Sequence, residues 1–194
     1  MGRLHHRTAI GSTYFVTTKA AQSIAVFQVH DIAEVVIAKL LHYRMAGAYL
    51  SHEFVLMPNH LHLLLTPTDN TSLEKAMQLI KGGSSHEIHQ KRGSRMEIWQ
   101  AGFHEATIRD TADYLSRVRY IHLNPVAVGF VARAEDWRWG SAGGQFTLDP
   151  IPQGRSAPWA EAQGLQSPGS TEPRVNQALN VGAKGKKQWL VVSG

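Results

Sequence analysis

A short connection between two apolar runs is the feature that most constrains the fold of this chain. The runs "AYLSHEFVL" (residues 48–56) and "HLHLLLT" (residues 60–66) are separated only by a turn at Pro58-Asn59. Their length and apolar content predict two strands, and so short a connection can join only antiparallel neighbours. The sequence therefore predicts a β-hairpin here, with the second run as a central strand.

Further elements surround this hairpin. The run "TYFVTT" (residues 13–18) is rich in β-branched and aromatic residues, which predicts a first strand. Apolar residues recur at helical spacing over residues 31–47, which predicts a first helix that ends at Gly47. The segment "TSLE" (residues 71–74) has the pattern of a capping box, so a second helix should begin there and be interrupted at Gly82-Gly83.

The third helix is predicted to begin at Asp110 or Thr111 and to be closed by Pro125. It follows a stretch of mixed strand and loop character, residues 97–110. The resulting order is strand, helix, two strands, helix, strand, helix. This order predicts an α+β fold, a ferredoxin-like or RRM-like sandwich with an antiparallel sheet covered by helices, which we expect on one face.

Composition bounds the class of protein. Of the 194 residues, 43% are hydrophobic, so residues 1–149 are expected to form a globular domain, whereas the Gly/Pro/Ser-rich residues 150–194 predict a flexible tail. The absence of cysteine excludes disulfides and thiolate zinc sites. Without an apolar signal segment or a membrane-length apolar run, we expect a soluble cytoplasmic protein. The net charge of +5 suits a nucleic-acid partner, although a basic protein without one has the same balance.

His60 and His62 carry the first chemical signal. Residues two apart in a strand point to the same face, so the two imidazoles should lie side by side and can chelate one divalent ion. A structural role for the pair is the alternative. A second signal is "RYIHLNPV" (residues 119–126), in which Tyr120 and Asn124 share a helix face and can bring a phenol and an amide to such an ion. An ordinary amphipathic helix is the alternative here.

Taken together, "MPNHLHLLL" and "RYIHLNPVAVGFV" resemble the REP-associated tyrosine transposases of the single-tyrosine HUH transposase superfamily, named for a histidine–hydrophobe–histidine motif. The stretches "IWQAGFHEATIRDTADYL" and "EDWRWGSA" are similar to that family too, so the resemblance covers about residues 13–142. It departs at Ala127-Val128-Gly129, where the family usually has a basic residue.

The resemblance implies roles for four residues. Tyr120 matches the nucleophile, and His60, His62 and Asn124 match the ligands of a divalent metal, Mg²⁺ or Mn²⁺. It also implies cleavage and rejoining of single-stranded DNA with hairpin-forming repeats through a 5′-phosphotyrosine intermediate, by a monomer or a homodimer. When bound to DNA, such a protein would be associated with the nucleoid.

Seven basic residues are candidate DNA contacts: Arg117, Arg119, Arg109, Arg95, Lys81, Lys91 and Arg92. Arg117 and Arg119 are the better placed of these, because they lie next to the tyrosine in the sequence. The pairs His52-Glu53 and His104-Glu105 are interpreted as surface polar residues, although either can serve in acid–base chemistry.

Two other functions remain open. One is a catalytically inactive, sequence-specific nucleic-acid-binding protein of the same fold, and the other is a rolling-circle replication initiator.

Overall fold

The computed structural model describes residues 11–93 and 95–150, which form a four-stranded sheet with helices against both faces. The elements follow the predicted order: β1 (Tyr14–Lys19), α1 (His30–Met45), β2 (Tyr49–Met57), β3 (His60–Pro67), α2 (Leu73–Arg92), β4 (His104–Thr107) and α3 (Thr111–Ala127). Every neighbouring pair of strands is antiparallel, and the strand order is β2-β3-β1-β4. The predicted α+β sandwich and the central position of β3 are confirmed.

The two faces of the sheet carry separate hydrophobic clusters. On one face, Leu61, Leu63 and Leu65 of β3 pack among buried residues of α1 and α2. On the other face, Leu64 belongs to a cluster completed by residues of α3, among them Ile121. The expectation that the helices share one face was therefore wrong. Because side chains alternate along a strand, the face that carries His60 and His62 is the one covered by α3.

Helix α2 does not break at Gly82-Gly83, so that prediction was also wrong. The helix begins after Ser72, whose hydroxyl accepts a hydrogen bond from the backbone N–H of Lys75 at 3.1 Å, and it continues to Arg92. A Cβ atom at Gly83 would lie 2.5 Å from the phenol oxygen of Tyr43 in α1. This glycine therefore serves the close packing of two helices, and it does not mark a helix end.

Helix α3 begins as predicted, because the carboxylate of Asp110 accepts a hydrogen bond from the backbone N–H of Asp113 at 2.8 Å. Pro125 does not close the helix, which continues to Ala127. Proline removes one N–H donor and crowds the carbonyl four residues earlier, yet the helix continues through it. The helix ends where Gly129 adopts a φ of +77° and the N–H of Phe130 reaches the carbonyl of Pro125 at 3.0 Å. The middle of α3, which carries Tyr120, is thus continuous with its last turn.

The predicted domain end near residue 149 coincides with a well-anchored residue. Asp149 accepts two hydrogen bonds from the guanidinium of Arg44, at 2.7 and 2.9 Å, and another from the backbone N–H of Ser51 at 2.8 Å. Residues 151–194 of the predicted tail lie outside the described residues, so the tail and the domain boundary remain predictions. Within the described ranges, no helix is long and apolar enough to cross a membrane.

Candidate functional site

The two histidines of β3 lie side by side, with ring centroids 4.7 Å apart and ring planes 76° from each other. His60 Nδ1 lies 2.7 Å from the side-chain oxygen of Asn59 and donates to it. His62 Nδ1 lies 2.8 Å from the hydroxyl of Thr17 on the neighbouring strand. Each imidazole is thus oriented through Nδ1. His62 Nε2 is buried and has no hydrogen-bond partner within the described residues.

Both imidazoles are held in the neutral form. Burial, with a contribution from the positive charge of Lys19, lowers the pKa of His60 from 6.5 to about 4. Burial, with a contribution from His60, lowers the pKa of His62 from 6.5 to about 3. A neutral imidazole is the form that binds a metal ion. The pair is therefore in its metal-binding state at neutral pH.

Tyr120 of α3 lies directly over His62. The ring centroids are 5.0 Å apart and the planes meet at 75°. Phe15 of β1 supports both rings, because it stacks on His62 at 5.4 Å and meets Tyr120 edge-on at 5.8 Å. The tyrosine side chain keeps 50% of its surface exposed, whereas His62 is only 4% exposed. Tyr120 is therefore accessible from solvent.

A polar contact between α3 and β2 fixes the position of the helix. His122, two residues after Tyr120, is buried, and its Nε2 lies 2.8 Å from a carboxylate oxygen of Glu53. The same oxygen accepts a hydrogen bond from the hydroxyl of Ser141. An unpaired buried carboxylate is costly, so this contact favours one rotation of the helix, the one that places Tyr120 over His62.

Asn124 lies one turn beyond Tyr120 and is half-buried. Its amide makes no hydrogen bond to either imidazole within the described residues, so its role as a metal ligand stays a prediction. The rest of the donor set fits a divalent cation, since His62 Nε2 is buried without a partner and both histidines are neutral. A cluster of His30, Asp31 and Glu34 also has metal-binding spacing, but all three side chains are exposed.

The predicted DNA contacts fall into two groups. Arg117 lies beside the site, with its guanidinium carbon 4.9 Å from the centre of the Phe15 ring and its Nε 3.4 Å from Asp113. Arg119 is exposed on the same helix. Arg109 is exposed and pairs with Asp113 at 3.2 Å.

The other candidates lie away from the histidines. Lys81 is on α2, which packs on the opposite face, and its ammonium donates to the backbone carbonyls of Gln100 and Gly102. Lys91 and Arg92 are on α2 as well, and Arg95 is exposed in the segment that follows it. The structure does not bring these four side chains together with Tyr120, and DNA contact remains a prediction for every basic residue named.

Sequence reasoning missed the residues that orient the histidines. Thr17, which contacts His62, and Lys19, whose charge lowers the pKa of His60, lie opposite these histidines in the β1–β3 register, and the register is the signal that identifies them. Asn59 was interpreted only as a turn residue. The interpretation of His52 as a surface residue was wrong. His52 is 2% exposed, and its Nε2 lies 2.9 Å from the hydroxyl of Thr66.

A histidine pair on a central strand, facing a tyrosine on a helix, is the arrangement of the single-tyrosine HUH transposases. The chain belongs to the IS200-like transposase family, because the family model described as "Transposase IS200 like" matches residues 14–124, more than half of the chain. The resemblance noted in the sequence is thereby confirmed.

Individual relatives agree with this family. A REP-associated tyrosine transposase of Escherichia coli (strain K12) is 35% identical over 85 residues, which are 43% of this chain and 48% of the relative. The chain spans about half the length of the curated relatives it matches. The solved structure of a REP-associated tyrosine transposase bound to a REP hairpin superposes with a TM-score of 0.62 at 23% identity, covering 79% of this chain and 93% of that chain. At this identity, the likeness concerns the fold.

Proposed function

We propose that this protein is a transposase that cuts and rejoins single-stranded DNA, with Tyr120 as the nucleophile. The observation that carries the proposal is the position of the Tyr120 ring, 5.0 Å from the ring of His62, an imidazole whose buried Nε2 has no described partner. A nucleophile and an available metal ligand thus lie next to each other. Metal-assisted displacement at phosphorus requires this proximity.

His60, His62 and Asn124 are the residues that would hold a divalent cation. When bound, the cation would polarise the scissile phosphodiester and offset the negative charge of the transition state. Two imidazoles and an amide oxygen suit Mn²⁺ at least as well as Mg²⁺, which prefers an all-oxygen shell. We therefore propose that the metal is either Mn²⁺ or Mg²⁺.

The residues of the chain supply the remaining requirements. Phe15 and His62 contact the ring of Tyr120, and half of the residue's surface stays exposed, which leaves room for a DNA strand. Arg117 and Lys19 place positive charge on either side of the pair of imidazoles, where a phosphate backbone would lie. The Tyr120 oxygen attacks phosphorus, the bond from phosphorus to O3′ breaks, and a 5′-phosphotyrosine and a free 3′-hydroxyl result.

This covalent intermediate makes the reaction reversible. The phosphoester energy is kept in the phosphotyrosine, so another 3′-hydroxyl can attack it and join two strands, releasing Tyr120. A hydrolytic nuclease loses this ability. We propose single-stranded DNA with hairpin-forming repeats as the substrate, supported by the name of the Escherichia coli relative and by the REP hairpin bound in the similar solved structure.

A denaturing gel tests the proposal. Full-length protein is incubated with Mn²⁺ or Mg²⁺ and with labelled single-stranded hairpins taken from the flanks of its own gene. We expect a protein–DNA adduct that survives denaturation and that disappears with a chelator and in the Tyr120→Phe variant. Hairpin binding without an adduct in either metal would contradict the proposal and would favour the inactive binding protein. An adduct that needs an origin-like sequence and no terminal repeat would favour a replication initiator.

A further inference from the structure

His104 lies on the face of the sheet that carries the two metal-binding histidines. In the strand register, Thr17 of β1 pairs with His62 of β3 on one side and with His104 of β4 on the other. Directly paired residues of antiparallel strands point to the same face. Thr17 contacts the ring of His62, so His104 also rises from the face over which Tyr120 lies.

The spacing between the two imidazoles suits a shared phosphodiester. Neighbouring strands are about 4.8 Å apart, so two strand spacings separate the backbones of His62 and His104 by about 10 Å. Only the small side chain of Thr17 stands between them at this level of the sheet. A DNA backbone that crosses Thr17 would meet His62 at one end and His104 at the other.

The surroundings of His104 differ from those of His60 and His62. His104 is exposed, whereas His62 is buried. Its ring makes no hydrogen bond, ion pair or ring contact with any residue in the described ranges. The imidazole is therefore free to meet a ligand that arrives from solvent.

We propose that His104 is the general acid–base residue for the O3′ atom in the reaction proposed above, on which this inference rests. During cleavage, Tyr120 forms the new bond to phosphorus and the bond to O3′ breaks. The imidazolium N–H of His104 transfers its proton to O3′, which leaves as a 3′-hydroxyl. During rejoining, the neutral imidazole accepts a proton from an incoming 3′-hydroxyl as its oxygen attacks the phosphotyrosine. The phenol proton of Tyr120 passes to solvent during cleavage and is regained from solvent when the phosphotyrosine bond breaks during rejoining, so protons and electron pairs balance in both directions.

Position favours His104 over the other groups on this face for the task. His60 and His62 would hold the proposed metal, and their Nδ1 atoms are engaged by Asn59 and Thr17. Lys19 lies beside His60, at the last position of β1. Its positive charge suits binding of a phosphate better than transfer of a proton. Imidazole is also the group most often used for proton transfer near neutral pH.

A bridging-sulfur substrate tests the proposal. The hairpin DNA is made with either a normal phosphodiester or a 3′-bridging phosphorothiolate, in which sulfur replaces O3′ at the scissile position. A thiolate leaves without a proton, so this substrate does not need a general acid. The rates of adduct formation are measured for the wild type, His104→Gln and, as a matched control, His86→Gln, which changes an exposed histidine of α2 on the opposite side of the sheet.

We expect His104→Gln to slow adduct formation on the phosphodiester by about 100-fold or more, the usual contribution of such a group. On the phosphorothiolate it should match the wild type to within about threefold, and His86→Gln should match it on both substrates. Equal slowing of His104→Gln on both substrates, or no slowing on either, would overturn the proposal. If the wild type forms no adduct on either substrate, the proposed function itself has failed, which is a distinguishable result.

Discussion

The phenol ring of Tyr120 stands nearly perpendicular to the imidazole ring of His62, with the two centroids 5.0 Å apart. One ring belongs to a helix and the other to a central strand, and the two residues are 58 positions apart in the sequence. Their contact depends on the packing of α3 onto the face of β3 that carries the histidines. Thr17, Phe15 and the contact between His122 and Glu53 hold these two rings in place.

Removing the hydroxyl of Thr17 should weaken metal binding. This hydroxyl lies 2.8 Å from His62 Nδ1 and orients the ring. Loss of such a partner usually costs 10- to 100-fold in metal affinity, so we expect a drop of about that size for Thr17→Val. Titration of Mn²⁺ into the purified protein by calorimetry measures the effect.

Thr18→Val is the matched control for this experiment. Thr18 is adjacent, buried on the opposite face, and its hydroxyl has no partner within the described residues. Its replacement should leave the affinity for Mn²⁺ unchanged. Equal affinities of the Thr17 and Thr18 variants would show that the Thr17 contact does not orient a ligand.

The contact between His122 and Glu53 should contribute measurably to stability. His122→Leu leaves a half-buried carboxylate with one hydrogen-bond partner fewer. We expect the free energy of unfolding to fall by about 1–3 kcal/mol, the cost of an unsatisfied polar group. Urea unfolding followed by circular dichroism checks this, with the exposed His86→Leu as a control that should change stability by less than about 0.5 kcal/mol. Indistinguishable midpoints for the two variants would argue against an anchoring role.

Acidification should destabilise the metal-free protein through its buried histidines. Burial lowers the pKa of His52, His60 and His62 below the value of 6.5 in an unfolded chain, to about 4 for His60 and about 3 for His62. Above pH 6.5, neither state binds these protons and the stability is fully present. As the pH falls below 6.5, only the unfolded state takes them up, so stability is lost until the folded pKa is reached.

Each such histidine contributes a slope of up to about 1.4 kcal/mol per pH unit. Urea unfolding in chelator between pH 7 and pH 5 measures the total slope. In the His62→Asn variant, the slope of the free energy of unfolding against pH should be smaller, by about the contribution of one histidine. An unchanged slope in this variant would mean that His62 is protonated in the folded protein as readily as in the unfolded chain.

Two adjacent glycines of α2 should respond differently to alanine. A Cβ atom at Gly82 meets nothing within 4 Å, so Gly82→Ala should raise the free energy of unfolding by about 0.5–1 kcal/mol through helix propensity. At Gly83, the new Cβ would meet the ring of Tyr43, with contacts from 2.5 Å. Gly83→Ala should lose this gain. Equal stabilisation of the two variants, measured by thermal unfolding, would contradict the close packing of α1 and α2.

The sequence predicts the order of the elements because each depends on local patterns. Each signal is encoded within a few residues: the alternation of side chains between the two faces of β3, the helix cap at Asp110 and the turn at Pro58-Asn59. The same alternation places His60 and His62 on one face. Which helix covers that face is not local, since it depends on how the chain crosses the sheet, and the one-face prediction was wrong for this reason.

The errors at single residues have similar causes. Gly82-Gly83 has the composition of a helix break, but the ring of Tyr43, some forty positions away, explains why Gly83 has no side chain. Thr17, which orients His62, and His104, which lies across the sheet from it, become visible only through strand register. The motifs thus predicted that the histidine pair and Tyr120 are the side chains to examine, and the structure brings them together, whereas the contacts that support them required the fold.

The linkage between protein and DNA tests the central claim most directly. A hairpin strand is labelled at its 5′ end or at its 3′ end, and each preparation is incubated with protein and Mn²⁺ before denaturing electrophoresis. Attack by Tyr120 with departure of O3′ predicts that only the 3′ label moves with the protein, whereas the 5′-labelled fragment is free and can be extended by a polymerase. A 5′ label that moves with the protein, or two free fragments without an adduct, would contradict the account.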